Sequence, residues 1–138
     1  MFNDRQLKLP TLLLACGLLA LVGCQGPIST VEGQVTLDGQ PLSRGDISFY
    51  APGGALANGA IDVSGRYRIQ TGTERGLTPG TYRVVVVAND VILPTEPGGA
   101  PMPKLITPAK YSDPATSGFT AEVKPGHNKF DFELKSSP

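Results

Sequence analysis

The sequence predicts an all-β fold, a single β-sandwich of about seven short strands, and three observations lead to this prediction. First, apolar and polar residues alternate with a period of two along most of the chain after residue 30. Second, turn dipeptides separate these runs, namely Asp38-Gly39, Ser64-Gly65, Pro79-Gly80 and Pro125-Gly126. Third, no segment after residue 24 carries the apolar stripe of an amphipathic helix.

Seven runs carry the alternation. In chain order they are residues 31–37, 46–50, 58–63, 66–70, 81–88, 118–123 and 129–134. The fifth run is apolar on both faces from Val84 onward, which is typical of a central strand buried on both sides. In the seventh run, Phe130, Phe132 and Leu134 are expected to face the core. Short strands at this spacing are typical of a β-sandwich.

The first 23 residues have the features of a secretory signal peptide. A short start with Arg5 and Lys8 precedes an uncharged, largely apolar run at residues 9–23. This run is shorter than the roughly 20 apolar residues that a membrane span needs. A buried core helix is the alternative, but Pro10 lies at its start and no amphipathic helix follows to cover it.

The apolar run ends in Leu21-Val22-Gly23-Cys24, which resembles the bacterial lipobox. The resemblance implies that signal peptidase cleaves before Cys24 and that the Cys24 thiol carries a diacylglycerol thioether. Two or three acyl chains on one residue make a stable anchor, because each buried methylene contributes about 0.8 kcal/mol. The protein is then exported and held on the bilayer through Cys24. Gln25 stands where an aspartate retains some lipoproteins at the inner membrane, and this slightly favours the outer membrane.

The predicted mature chain is a short tether followed by one domain. Residues 24–30 form the acylated cysteine and the tether, and residues 31–138 form the domain. The second cysteine, Cys16, lies in the leader, so the mature chain has no partner for a disulfide bond. Without the leader's charges, the twelve basic and twelve acidic side chains fall to ten and eleven. This balance, with no cluster of like charge, argues against nucleic-acid binding.

Three segments of the domain resemble the carboxypeptidase regulatory-like family. They are VEGQVTLDGQPLSRGDISF (31–49), DVSGRYRI (62–69) and GLTPGTYRVVV (76–86), the last with an L-x-P-G-x-Y-x-V signature. The resemblance spans residues 31–87, about half of the mature chain. It implies a transthyretin-like (prealbumin-like) or immunoglobulin-like sandwich that acts as a non-catalytic accessory module.

The residues themselves offer little for catalysis, a cofactor or a metal. His127 is the only histidine, in a predicted exposed turn, and one histidine cannot build a zinc site. No G-x-S-x-G motif surrounds any serine. Glu122, Asp131 and Glu133 alternate with apolar residues, as on any solvated strand face, although paired carboxylates can also bind calcium or transfer protons. We therefore expect no enzyme, no cofactor and no metal site.

Residues 89–117 interrupt the strand pattern. They contain six prolines and only a hint of a strand at Val91-Ile92-Leu93. Three interpretations stay open: a proline-stiffened crossover between sheets, a binding loop, or disorder.

Two functions follow from the sequence. The first is an envelope lipoprotein that carries a structural or interaction module, with another envelope protein as its partner. The second is a ligand-binding module, for example for glycans, that uses loop 89–117 with Tyr111 as an exposed aromatic residue. The absence of tryptophan favours the first, because glycan sites usually cluster exposed aromatic side chains.

Overall fold

The computed structural model describes residues 28–54 and 56–137, which form thirteen β-strands and one 3-10 helix. The strands are β1 (Thr30–Leu37), β2 (Gln40–Pro41), β3 (Asp46–Tyr50), β4 (Leu56–Ala60), β5 (Arg66–Arg68), β6 (Gln70–Thr71), β7 (Glu74–Arg75), β8 (Gly80–Val87), β9 (Asn89–Ile92), β10 (Met102–Leu105), β11 (Phe119–Val123), β12 (His127–Lys129) and β13 (Phe132–Leu134). The 3-10 helix spans Ala109–Ser112. The predicted all-β sandwich is confirmed.

The strands form two main sheets and a separate hairpin. The larger sheet is antiparallel, in the order β11-β8-β3-β4-β6-β7. The smaller sheet is built around β1, which pairs in parallel with β12 and then β13 on one edge. On its other edge, β1 pairs antiparallel with β5 and β2. The separate hairpin consists of β9 and β10.

Each of the seven predicted runs contains a strand, and the observed strand bounds differ clearly from the predicted ones in three of them. The third strand lies at Leu56–Ala60, about two residues earlier than expected, because Asp62 begins a hydrogen-bonded turn. The fourth run divides at Ile69: β5 pairs with β1 in the smaller sheet, whereas β6 pairs with β4 in the larger one. The segment 66–71 therefore links the two sheets.

The seventh run also divides, and a glycine on the neighbouring strand explains where. Gly33 lies against the Phe130 carbonyl oxygen so closely that a Cβ there would be 1.7 Å from this oxygen. The chain bends away at Asp131, whose Oδ1 accepts the Gln34 N–H at 2.9 Å. A side-chain acceptor thus replaces a backbone acceptor at the break between β12 and β13.

The core lies between the two sheets and is centred on Phe49. Tyr67, Tyr82, Phe130 and Phe132 surround its ring, with centroid separations of 6.2–6.5 Å. The remaining buried side chains are mostly aliphatic and come from both sheets. The inward direction predicted for Phe130, Phe132 and Leu134 is confirmed, although Phe130 is only partly buried.

Residues 89–117 connect β8 to β11, which are paired neighbours in the larger sheet. The interpretation of this segment as a crossover between sheets is therefore wrong. The segment folds into the β9–β10 hairpin, followed by the 3-10 helix Ala109–Ser112.

Candidate functional site

The predicted lipidation site, Cys24, lies outside the described residues, as does the leader before it. The described chain begins at Ile28, and Ser29 exchanges two hydrogen bonds with the backbone of Leu77, at 2.7 and 2.8 Å. The Thr30 N–H donates to the Gly126 carbonyl oxygen at 2.9 Å. Ser29 and Thr30, which the sequence assigned to the tether, are thus part of the fold. We call this end of the sandwich, at Ile28, Ser29, Leu77 and Gly126, the tether pole.

The β9–β10 hairpin leaves the sandwich at the opposite end. Strand β8 starts at Gly80, three residues after Leu77, and its last residue, Val87, lies just before the hairpin. An eight-residue strand spans about 25 Å. The hairpin, which we call the arm (residues 89–105), therefore begins about 25 Å from the tether pole.

The arm exposes an unusual amount of apolar surface. All of its eight strand residues are exposed. Ile92 pairs with Met102 and Val91 with Pro103, so apolar side chains lie on both faces. The relative exposures are 59% for Val91, 52% for Ile92, 72% for Leu93 and 66% for Met102. Contiguous exposed apolar residues of this kind often mark interaction sites.

Hydrogen bonds at its base hold the arm in place. The Ile106 N–H donates to the Ala88 carbonyl oxygen at 2.8 Å, and the Ala88 N–H donates to the buried Thr107 Oγ1 at 3.2 Å. Arg44 Nη1 and Asp90 Oδ1 form an ion pair at 3.0 Å across the start of β9. The arm thus projects from a base that is anchored in the larger sheet.

Sequence reasoning missed the arm as a hairpin. Its strands do not alternate, because neither face packs on a core. The available signal was Gly98-Gly99, a turn dipeptide between two short apolar runs, which is typical of a hairpin.

Tyr111 is not an exposed aromatic residue. It lies in the 3-10 helix with 5% of its surface exposed, and its ring stacks on Phe119 with a centroid separation of 5.3 Å. Its hydroxyl oxygen accepts the Lys135 N–H at 3.0 Å. The hypothesis that Tyr111 offers an exposed ring to a ligand is wrong, because the residue is buried, its ring stacks on Phe119 and its hydroxyl accepts the Lys135 N–H.

A polar groove of about 910 Å³ lies where β5 passes from one sheet towards the other. At its floor the backbones are close, since a Cβ on Gly59 would be 2.2 Å from the Arg68 carbonyl oxygen. The walls carry the amides of Asn58 and Gln70, the cations of Arg66, Arg68 and Lys129, and the carboxylates of Glu32, Asp46 and Asp62. Such groups can donate hydrogen bonds to, and accept them from, the hydroxyl groups of a polar ligand.

Ion pairs on this side of the sandwich are exposed. Glu32 accepts from Arg68 Nε at 3.1 Å and contacts His127 Nε2 at 3.3 Å. His127 begins β12 and also hydrogen-bonds Thr30 Oγ1 through Nδ1 at 3.0 Å, so it is not a turn residue as predicted. Exposed pairs of this kind contribute little to stability, because water screens them.

A second, smaller groove opens at the tether pole. It has a volume of about 120 Å³ and lies between the exposed Ile28 and Leu56. The buried residues Ala57, Leu77 and Tyr82 form its floor. Of the described residues that line it, Glu74 is the one with a charge. We call it the tether groove.

The groups with shifted pKa values do not converge on a reaction centre. Hydrogen bonds from Ser64 lower the pKa of Asp62, and hydrogen bonds from Ser136 lower the pKa of Asp38. Burial and the nearby Asp131 raise the pKa of Tyr67. The hydrogen bond with Glu133 raises the pKa of Lys135. Each of these four shifts follows from a contact that supports a turn, a strand end or the core.

Within the described residues, no group of three or more histidine, cysteine, aspartate or glutamate side chains is placed to hold a metal ion. In residues 28–54 and 56–137, no helix has the length and hydropathy required to cross a membrane.

Comparison with known proteins gives weak similarity only. No protein-family model matches the sequence, and no curated protein matches it significantly. Among solved structures, a DUF3823 family protein from Parabacteroides merdae has a TM-score of 0.43 and 18% identity, over 79% of this chain and 46% of that chain. A 9R-lipoxygenase from Cyanothece has a TM-score of 0.41 and 14% identity, over 78% of this chain and 16% of that chain. This chain therefore spans less than half the length of either protein, and TM-scores of this size carry no argument about function.

Proposed function

We propose that this protein is an exported lipoprotein, anchored to a bacterial membrane through acylated Cys24, whose β-sandwich is a non-catalytic interaction module of the carboxypeptidase regulatory-like type. One observation carries the proposal: the exposed apolar arm and the tether pole lie at opposite ends of the sandwich. With Cys24 in the bilayer, the arm faces away from the lipid. Its partner is then another protein of the envelope.

The chemistry of the described residues supports a non-catalytic role. A catalytic site needs a nucleophile or an acid–base pair with matched pKa values in a shared cleft. Here each of the four groups with a shifted pKa, namely Asp38, Asp62, Tyr67 and Lys135, takes part in a structural contact. His127 lies on an exposed strand beside Glu32, and its hydrogen bond within the described residues is to the Thr30 hydroxyl.

The two cysteines of the sequence, Cys16 in the predicted leader and Cys24 just after it, allow a matched test of the anchor. We expect Cys24→Ser to abolish acylation and to release the protein from the membrane fraction, because the thioether forms on the Cys24 sulfur. Cys16→Ser should stay acylated and membrane-bound. The measurements are intact mass and fractionation of the expressed full chain. A Cys24→Ser protein that still carries lipid and still sediments with membranes would refute the anchor.

A second experiment tests the arm as the contact surface. A photo-crosslinking amino acid at Leu93 should give one adduct of fixed mass in envelopes. The same group at Val63, which is even more exposed at 85%, should not. The pair Val91→Ser and Met102→Ser should remove the Leu93 adduct without lowering thermal stability, because both side chains are exposed. Equal crosslinking from both positions would exclude a specific contact at the arm.

The polar groove favours ligand binding as a second candidate function. The sequence assigned this role to loop 89–117 and Tyr111. The groove is a better candidate for the binding site, since the polar side chains of Arg66, Arg68 and Gln70 line it. We expect a bound oligosaccharide to be lost in Arg68→Ala and retained in Arg83→Ala, which removes an exposed arginine outside the groove. A glycan array with the full chain measures this, and the absence of saturable binding would exclude this candidate.

A further inference from the structure

The tether groove has an exposed apolar rim at the point where the chain enters the fold. Ile28 and Leu56 form this rim, with relative exposures of 45% and 48%. The two residues come from different segments, and Leu56 is held in place as the partner of Tyr50 in the β3–β4 ladder. The groove itself, at about 120 Å³, is too small to hold an acyl chain. Its rim is therefore an outward-facing surface and not the mouth of a lipid pocket.

The length of chain between Cys24 and Ile28 limits how far this rim can be from the lipid. Four Cα–Cα steps span at most about 14 Å. Acyl chains on Cys24 fix its sulfur at the boundary between headgroups and hydrocarbon. The polar region of one leaflet is about 5–8 Å thick, so a 14 Å reach keeps the tether pole at the membrane surface.

We propose that the tether groove is a bilayer-docking site, in which the side chains of Ile28 and Leu56 enter the boundary between headgroups and acyl chains. This inference rests on the proposed anchor at Cys24. It adds a second, non-covalent contact that holds the sandwich upright. In that orientation the arm points into the aqueous space, about 25 Å or more from the lipid.

The composition of the groove indicates which lipids are required. Among the described residues that line it, Glu74 is the one charged residue, and none is a lysine or an arginine. An apolar contact of this kind does not need anionic headgroups, so phosphatidylcholine is sufficient. It should also be insensitive to salt, in contrast to attraction between basic residues and acidic lipid.

The absence of tryptophan from the chain permits a direct measurement. The full acylated protein is reconstituted in phosphatidylcholine vesicles whose acyl chains carry bromine near the headgroup. Leu56→Trp reports from the tether groove, and Leu93→Trp reports from the arm. We expect strong quenching and a blue-shifted emission for Leu56→Trp. Leu93→Trp should emit as an exposed residue without quenching.

The possible results of this experiment distinguish failure of the docking site from failure of the Cys24 anchor. If the protein floats with the vesicles but Leu56→Trp is not quenched, the anchor stands and the docking site is refuted. If Leu93→Trp is quenched, the arm lies on the membrane and the proposed orientation is wrong. If the protein does not float with the vesicles, the anchor fails, and the docking site fails with it.

A second variant tests the rim itself. In the Leu56→Trp background, Ile28→Asp should lower the quenching several-fold, because a carboxylate does not enter the apolar boundary. Val63→Asp, at an exposed site outside the tether groove, should leave it unchanged. Quenching should also persist in 0.5 M NaCl. Quenching that survives Ile28→Asp, or that salt removes, would overturn the apolar contact.

Discussion

The Tyr67 hydroxyl donates a hydrogen bond of 2.6 Å to the carbonyl oxygen of Phe130. These residues lie on opposite sides of β1, because β5 pairs with one edge of β1 and β12 with the other. Gly33 lies between them on β1, opposite Tyr67 in the β1–β5 register. The bond therefore passes across a strand, through space that a side chain at position 33 would fill, and it stabilises the break between β12 and β13.

Tyr67→Phe removes this donor and nothing else from the core. We expect the free energy of unfolding to fall by about 1–3 kcal/mol, because the partly buried Phe130 carbonyl oxygen loses its partner. Urea unfolding followed by circular dichroism measures the change. Tyr50→Phe is the matched control, because no residue of the described ranges forms a hydrogen bond with the Tyr50 hydroxyl. Equal stability of the two variants would contradict the role of the Tyr67–Phe130 bond.

Gly33→Ala should lower the free energy of unfolding far more than the addition of one methyl group usually does. The added Cβ would lie 1.7 Å from the Phe130 carbonyl oxygen, which is backbone and cannot rotate away. We expect a loss of more than about 3 kcal/mol, or failure to fold, since relief requires β13 to separate from β1. Gly53→Ala is the control, because a Cβ there meets no atom within 4 Å. Comparable melting temperatures for the two variants would show that the strands at Gly33 can move apart.

Most strands of the sandwich could be predicted, because alternating apolar and polar residues indicate a strand with one buried face. Tyr67 and Ile69, for example, alternate with arginine and glutamine, and both are buried. The division of the last run at Phe130-Asp131 could not be predicted in this way. It depends on Gly33, which is 97 residues away from Phe130 in the chain, and no local pattern encodes a close approach between two strands.

The candidate sites were harder to predict than the fold. The arm has no alternation, because neither of its faces packs on the core. The polar groove exists because the segment 66–71 changes sheets, which depends on pairing with two different strands. The sequence hypothesis treats Tyr111 as an exposed aromatic residue of loop 89–117. Its burial depends on Phe119 and on Lys135, which lies 24 residues further along the chain.

Asp62 should make stability depend on acid pH. Its Oδ1 accepts the Ser64 hydroxyl at 2.7 Å, the Ser64 N–H at 2.8 Å and the Arg66 N–H at 3.0 Å. These bonds, the Ser64 hydroxyl first, lower the pKa of Asp62 below its ordinary 3.8. Since the folded pKa is the lower one, the charge stabilises the fold above about pH 4. This stabilisation is lost as pH falls through the folded pKa.

Asp62→Asn isolates this contribution, since the amide keeps an oxygen acceptor but loses the charge. We expect the variant to be less stable than the parent at pH 7. The difference between their free energies of unfolding should shrink as the pH falls below 4. Urea unfolding between pH 2.5 and 7 measures it. Glu122→Gln is the control, because Glu122 is exposed and forms no hydrogen bond or ion pair through its side chain in the described structure. A stability difference at pH 3 as large as that at pH 7 would contradict an effect of the Asp62 charge.

Tyr111 should behave as a core residue in mutagenesis. Tyr111→Ala removes the ring that stacks on Phe119 and the acceptor of the Lys135 N–H, so we expect a loss of about 3–5 kcal/mol. Tyr111→Phe keeps the ring and should lose only about 1 kcal/mol. Urea unfolding of both variants separates the two contributions. If Tyr111→Ala unfolded at the same urea concentration as the parent, the stacked ring would not be part of the core. If the free energy of unfolding falls as expected, a binding defect in Tyr111→Ala would reflect unfolding. Tyr111→Phe should then still bind any partner or ligand that the native protein binds.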